Sequence, residues 1–437
     1  MSSGQLKAEV QSVNGLVVKA EFAGRPPILG QLLHLFEKPD LQFLVIGVQD
    51  SDVLVALNLT ETSLEQGDKL LSNGEILKLP VGQGAMGRVF DALGRTLDSD
   101  DPLKQISYVP VADDTEINLD AASADTVIET GIKVIDFFAP FVRGRKVGIL
   151  GGAGVGKTVL TTELMHNVTR AGKDLSFFVG MGERIREAFE LYQTLKEANL
   201  LKNTVMYLGQ MNENAAMRFL TARSAATVAR YFRDANKTDV LFFVDNIYRY
   251  LQAGNELSTQ LDAASSEGGY QPTLFSELSR FEQNLSISKN GSITAVQSIF
   301  VPADDLSDPA VVAMYQQLDS VIVLSRQVAE RGIYPAVDLL NTTSAVLTAE
   351  IVGQQHASLV PLVQKILQKH KSLEGIVAII GEAELSLVDQ NYYHRAQELI
   401  QYFAQNMFVT EKLSGIKGQY VPRAQMLKEV DKIVNGG

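Results

Sequence analysis

The sequence predicts an α/β protein in three parts: an antiparallel β-barrel over residues 1–80, a central α/β domain over 81–337, and an α-helical bundle over 338–437. Three patterns carry this reading. Apolar residues alternate with period two near the N-terminus, short apolar strands alternate with helices in the middle, and apolar stripes recur at helical spacing toward the end. At 437 residues the chain is also too long for one compact core.

In the first part, Val18, Ala20 and Phe22 face one way while Lys19 and Glu21 face the other. Similar short strands are expected over 43–47 and 52–57, with turns at Asp50-Ser51 and Asn73-Gly74. The middle part carries apolar segments at 147–150, 176–179, 240–244, 293–297 and 320–324, each bounded by polar breaks, as buried parallel strands should be. In the last part, Leu359, Leu362, Ile366 and Leu367 form one stripe, and Tyr393, Ala396, Ile400 and Phe403 form another.

The strongest chemical signal is VGILGGAGVGKTVL, starting at Val147: a strand, a glycine-rich turn and a helix start. Gly151, Gly152, Ala153, Gly154, Val155, Gly156, Lys157 and Thr158 match G-x-x-x-x-G-K-[ST], and Val159 continues into the helix. Glycines let successive backbone N–H groups turn inward without Cβ clashes, and Lys157 adds a positive charge. Thr158 can offer its hydroxyl to a magnesium ion, and the helix directs its positive dipole end at the phosphates. The helix carries Leu160, Leu164 and Val168 on one face, with Gly172 as its stop.

Hydrolysis of a bound nucleotide also needs a group that polarises water. Glu183, in Gly180-Met181-Gly182-Glu183-Arg184, follows the second central strand and so falls at the carboxyl edge of the sheet, where ligands of such folds sit. Its carboxylate can orient water and Arg184 can stabilise charge on the terminal phosphate; the alternative is a surface Glu–Arg pair. Asp245 ends the strand over 240–244, a position from which a carboxylate can hold magnesium or its water. Arg249 can reach a phosphate or a carboxylate, or else pair with Glu256 or Asp262.

Composition sets bounds. The net charge of −12 argues against a sequence-independent grip on nucleic acid. With no cysteine, neither disulfides nor thiolate sites are available, and the scattered histidines do not predict zinc. Met206, Met211 and Met217 read as packing, and Asp304-Asp305 after Pro302 reads as a solvated turn, with an interaction loop as the alternative. The N-terminal residues lack the pattern of a signal or transit peptide, and no apolar run approaches the ~18 residues of a membrane span. A cytoplasmic protein is expected, meeting a membrane only through partners.

Further motifs resemble one family closely: the catalytic beta subunit of F-type rotary ATP synthases. They include LPVGQGAMGRVFDALGRTLD from Leu79, ETGIKVIDFFAPFVRGRKVGILGGAGVGKTVL, VGMGERIRE, GQMNE, VDNIYRYLQAG, GYQPTL, GSITAVQSIFVPADDLSDP and GIYPAVD. The non-catalytic alpha subunit is similar but carries glutamine where Glu183 stands. The resemblance implies a RecA-like central domain, phosphates and Mg²⁺ of ATP or ADP on Gly151–Thr158, Glu183 as the water-activating carboxylate, and Thr158, Glu183 and Asp245 around the metal. It places Lys157, Arg184, Glu213 and Arg249 in the catalytic shell. Tyr334 would stack on adenine, with Met407 and Leu413 in place of the family's C-terminal aromatic pair and Phe408 as a substitute. It also implies an alternating hexamer with alpha-type subunits around a gamma-type shaft, on the cytoplasmic face of a bacterial cell membrane. The neighbour's arginine finger is worth about 10³–10⁵ in rate, so the chain alone should be a poor ATPase.

Two departures cluster on surfaces that face the shaft in that family. The family's Gly-Arg-Ile/Met-Pro-Ser is here Asp262-Ala263-Ala264-Ser265-Ser266, and its acidic DELSEED loop is Ala383-Glu384-Leu385-Ser386-Leu387-Val388-Asp389. Three readings follow: a catalytic subunit of a proton-coupled synthase, a beta-like subunit of a specialised ATP-driven motor without an ordinary proton channel, and a structural subunit that binds nucleotide without turnover.

Overall fold

A computed structural model describes residues 6–49, 52–111, 125–171, 175–197, 200–261, 264–266 and 268–435; the side chains of 169–171, 183, 380 and 413 lie outside that description. The expected turn at Asp50 and Ser51, the helix stop at Gly172, and Asp262 and Ala263 also lie outside the described residues.

Six strands close the N-terminal barrel: β1 (Leu6–Asn14), β2 (Val17–Ala23), β3 (Leu32–Leu35), β4 (Lys38–Gln49), β5 (Val53–Asn58) and β6 (Lys69–Ser72). Their order is β1-β2-β5-β4-β3-β6, and every pairing is antiparallel. Closure removes the exposed edges that an open sheet would leave. Val18, Ala20 and Phe22 fill the interior with Leu33, Phe43 and Leu54. Part of the outer face is buried too: Val17, Leu44, Val55 and Leu57 pack on Ala216, Leu220 and Leu257 of the central domain.

The central sheet has eight strands: β7 (Val89–Phe90), β8 (Lys146–Gly151), β9 (Leu175–Glu183), β10 (Thr204–Gln210), β11 (Val240–Asp245), β12 (Ile293–Phe300), β13 (Ser320–Val323) and β14 (Thr343–Ser344). The order is β14-β13-β8-β12-β11-β9-β10-β7. All neighbours run parallel except the last pair, β13 with β14. Five of these strands were expected from the sequence; β7, β10 and β14 were not.

Alternation along the strands splits the core into two layers. Ile149, Phe178, Leu241 and Phe243 face one side, under α1 (Lys157–Ala171) and α2 (Ile185–Glu197). Leu150, Phe177, Val179 and Phe242 face the other, under α3 (Ala215–Asn236), α4 (Ile247–Gln260) and α5 (Leu274–Asn284). Helices therefore cover both faces, as a parallel sheet requires.

Beyond β14 the chain is helical, with α6 (Gln354–Ile380), α7 (Leu387–Phe403) and α8 (Arg423–Asn435). Leu359, Val363, Ile366, Leu399, Phe403 and Val430 extend the first core layer, so the bundle packs onto the central domain. The turn between α6 and α7 exposes apolar side chains beside exposed Glu384: Ile379 is 85% exposed and Leu387 82%. No helix among the described residues is long and apolar enough to cross a membrane.

Phe243 is fully buried beneath the P-loop helix. Truncating it leaves a cavity as well as lost apolar burial, so Phe243→Ala should reduce stability by about 3–5 kcal/mol in chemical denaturation. A loss below about 1 kcal/mol would contradict this packing.

Candidate nucleotide-binding site

Parallel strands all present their carboxyl ends at one rim, and register sets which residues meet there. Asp245 on β11 sits level with Ser298 on β12 and Gly180 on β9, while Ser298 sits level with Ile149 on β8. The glycine-rich loop leaves β8 two residues beyond Ile149. Its Gly151 carbonyl accepts from the Val301 amide at 3.3 Å, which ties the loop to the end of β12. Gly154 (φ 77°) and Gly156 (φ 92°) adopt left-handed backbone, which a side chain would resist. Helix α1 begins at the next residue, so its unpaired N–H groups and dipole point into the loop.

Lys157 reaches back across the loop and donates to the carbonyls of Gly151, at 2.7 Å, and Gly152. Burial lowers the ammonium pKa, and the nearby carboxylates of Asp245 and Asp304 oppose that shift. Asp245 is 5% exposed. Burial raises its carboxyl pKa, against stabilisation by the Ser298 hydroxyl, the Lys157 charge and the Thr158 hydroxyl. Thr158 Oγ1 donates to Asp245 Oδ2 at 3.4 Å. An uncompensated carboxylate in such a place is costly, and the Lys157 charge opposes the shift of Asp245 as Asp245 opposes that of Lys157. Thr158 and Asp245 present hard oxygen ligands side by side, which fits a magnesium ion that completes its shell with phosphate and water.

Glu183 ends β9, where its backbone pairs with Gln210 of β10; its side chain lies outside the described residues. Arg184 is exposed and pairs with Glu187 at 3.5 Å. Arg249 lies against the same loop: a Cβ on Gly182 would come within 3.2 Å of its aliphatic carbons. Glu256 is not the partner of Arg249, because Arg218 holds both of its carboxylate oxygens, Nη1 at 3.2 Å and Nη2 at 2.5 Å. Glu213 accepts from the Gln210 amide at 3.0 Å, and burial pushes its carboxyl up to about 6.

Tyr334 is 52% exposed, and its carbonyl accepts from the Gln405 amide at 2.8 Å. The segment after Gln405 then crosses to α1. Phe408 packs its ring 5.3 Å from His166, and the Val409 amide donates to Glu163 at 3.0 Å. Tyr334, half-buried Phe408 and Val159 (38% exposed) thus retain open surface near the loop, whereas Met407 is buried with the core. The Leu413 side chain lies outside the described residues.

Two residues at the site were not singled out as functional in the sequence. Arg326, just after β13, donates to the Ala153 carbonyl at 3.2 Å and pairs with Asp304 at 3.6 Å. Asp304 was expected as a solvated turn; its Oδ1 instead lies where a Cβ on Gly152 would come within 2.0 Å. The residues are far apart in the chain, and only the adjacency of β12, β8 and β13 brings them together.

Fold and rim define a phosphate-loop nucleotide-binding protein, with the loop, a helix dipole, a lysine and a strand-tip aspartate at one edge of a parallel sheet. Comparison with known families refines that class. Residues 131–344 match the model of the ATP synthase alpha/beta family, nucleotide-binding domain, and residues 346–435 match the C-terminal domain of V and A type ATP synthase. The chain is an alpha/beta-type subunit of the ATP synthase kind. The second match points to a different branch from the F-type likeness of the sequence motifs.

Glu213 supplies a pH prediction. Its folded pKa, about 6, lies above the ordinary value of 4.5. The folded state therefore holds the proton more tightly, and this stabilisation is complete below pH 4.5 and lost as pH rises through about 6. Denaturation midpoints should fall across that window in the wild type, and Glu213→Gln should flatten the slope. Parallel pH profiles would contradict the assignment.

Proposed function

We propose that this chain is a catalytic, beta-type subunit of a rotary ATPase, interconverting ATP with ADP and phosphate at interfaces with alpha-type neighbours. The observation that carries the reading is the contact of Thr158 with buried Asp245 beside Lys157, at the tip of the strand row that also ends in the Glu183 loop. Binding alone calls for the phosphate loop; the Gly182-Glu183-Arg184 turn, with Arg249 laid against it, adds groups suited to turnover.

In this mechanism the loop N–H groups and Lys157 receive the β- and γ-phosphates, and Tyr334 and Phe408 flank the adenine. Glu183 orients the attacking water and accepts its proton, while Arg184 and Arg249 face the charge that builds on the terminal phosphate. A magnesium ion held by Thr158 and Asp245 would supply charge neutralisation between the phosphates. The alpha-type neighbour contributes an arginine finger, a gamma-type shaft couples the sites, and membrane contact comes through partners at the cytoplasmic face.

One observation favours a specialised motor over an ordinary synthase. The α6–α7 turn exposes Ile379, Leu387 and Val388 at the position where the F-type likeness has an acidic loop.

The decisive experiment is Glu183→Gln in the assembled complex. Nucleotide binding should persist while turnover falls by about 10²–10⁴. Unchanged turnover would remove Glu183 from the catalytic role, and lost binding would show that it serves the loop instead.

A further inference from the structure

The phosphate loop already has a carboxylate against it. Asp304 Oδ1 sits over Gly152, leaving no room for a Cβ there, and Arg326 bridges Asp304 to the Ala153 carbonyl. The geometry is not a relaxed turn. Ala303 (φ 52°) and Asp304 (φ 58°) are both left-handed and neither is glycine, a combination that persists only where surrounding contacts hold it. At the same time the Asp304–Arg326 pair is about half exposed on both sides. Exposed ion pairs are weak, so this contact can exchange for a stronger one.

Resting on the nucleotide-binding reading above, we propose that Asp304 is a built-in competitor for the phosphates, which lowers nucleotide affinity and holds Arg326 in reserve at the loop. The Asp304 carboxylate shares the field of Lys157 with any incoming phosphate and repels it. Arg326 offsets that repulsion while Asp304 is in place. When a polyphosphate arrives, its larger charge outcompetes Asp304 for Arg326, which is already anchored on the loop through Ala153. Asp304 and Arg326 are thus positioning residues that set the ground-state affinity.

Calorimetric titration of the full chain with MgADP tests this. Asp304→Asn removes the charge and keeps a side chain that tolerates left-handed backbone; Asp304→Gly removes the charge and the strain. Both should tighten binding, by about three- to tenfold, and the gain should shrink at high salt. Arg326→Gln should weaken binding by a similar factor, and the double variant Asp304→Asn with Arg326→Gln should return close to wild type. If Asp304 merely shapes the loop, its variants weaken binding and the double variant is weakest, which overturns the proposal. Tight wild-type binding with no gain in either Asp304 variant overturns it alone. A folded wild-type chain that binds no MgADP overturns the nucleotide-binding reading and this inference together.

Discussion

A buried carboxylate and a half-buried ammonium at the end of a parallel sheet are the constraint on which the rest depends. Lys157 and Asp245 each carry a pKa displaced by burial toward neutrality. Each charge opposes the displacement of the other, and the Thr158 hydroxyl beside them stabilises the carboxylate further. The Thr158–Asp245 hydrogen bond joins the helix after the loop to β11, although β12 lies between β8 and β11. The loop is held further by the Val301 amide on the Gly151 carbonyl and by the Arg326 guanidinium on the Ala153 carbonyl.

Around this pair, the C-terminal bundle is attached at the places a nucleotide would reach. Gln405 donates to the carbonyls of Gly131 and Gln419 and accepts from the Lys133 amide, while its own amide holds Tyr334. The Lys133 ammonium donates to the carbonyls of Tyr402 and Ala404. Glu163 on α1 accepts from Val409. The bundle is therefore bonded both to the segment leading into β8 and to the helix that follows the phosphate loop.

Much of this was legible in the sequence, for identifiable reasons. Glycine spacing with a following lysine has few structural uses, so the loop, the helix start and Thr158 could be placed from residues alone. Strict alternation located β2 and the barrel interior. The same alternation could not show that Val17, Leu44 and Val55 on the outer face are also buried, because that depends on a helix from another domain docking there. β10, Thr204–Gln210, shows no period-two alternation of apolar and polar residues, and pairing with β9 places it in the sheet. β7 and β14, two residues each, are created by their neighbours. Asp304 and Arg326 were opaque for the same reason: their meeting follows from strand order, which no local pattern encodes.

The account rests on Asp245 and Thr158 serving a divalent ion that travels with the nucleotide. The most direct measurement is ADP affinity with magnesium and with chelator, in the wild type and in Asp245→Asn. The account predicts that magnesium strengthens wild-type binding by about tenfold or more, as one carboxylate and shared phosphate oxygens imply, and that the variant gains little. Equal magnesium dependence in both proteins would contradict it.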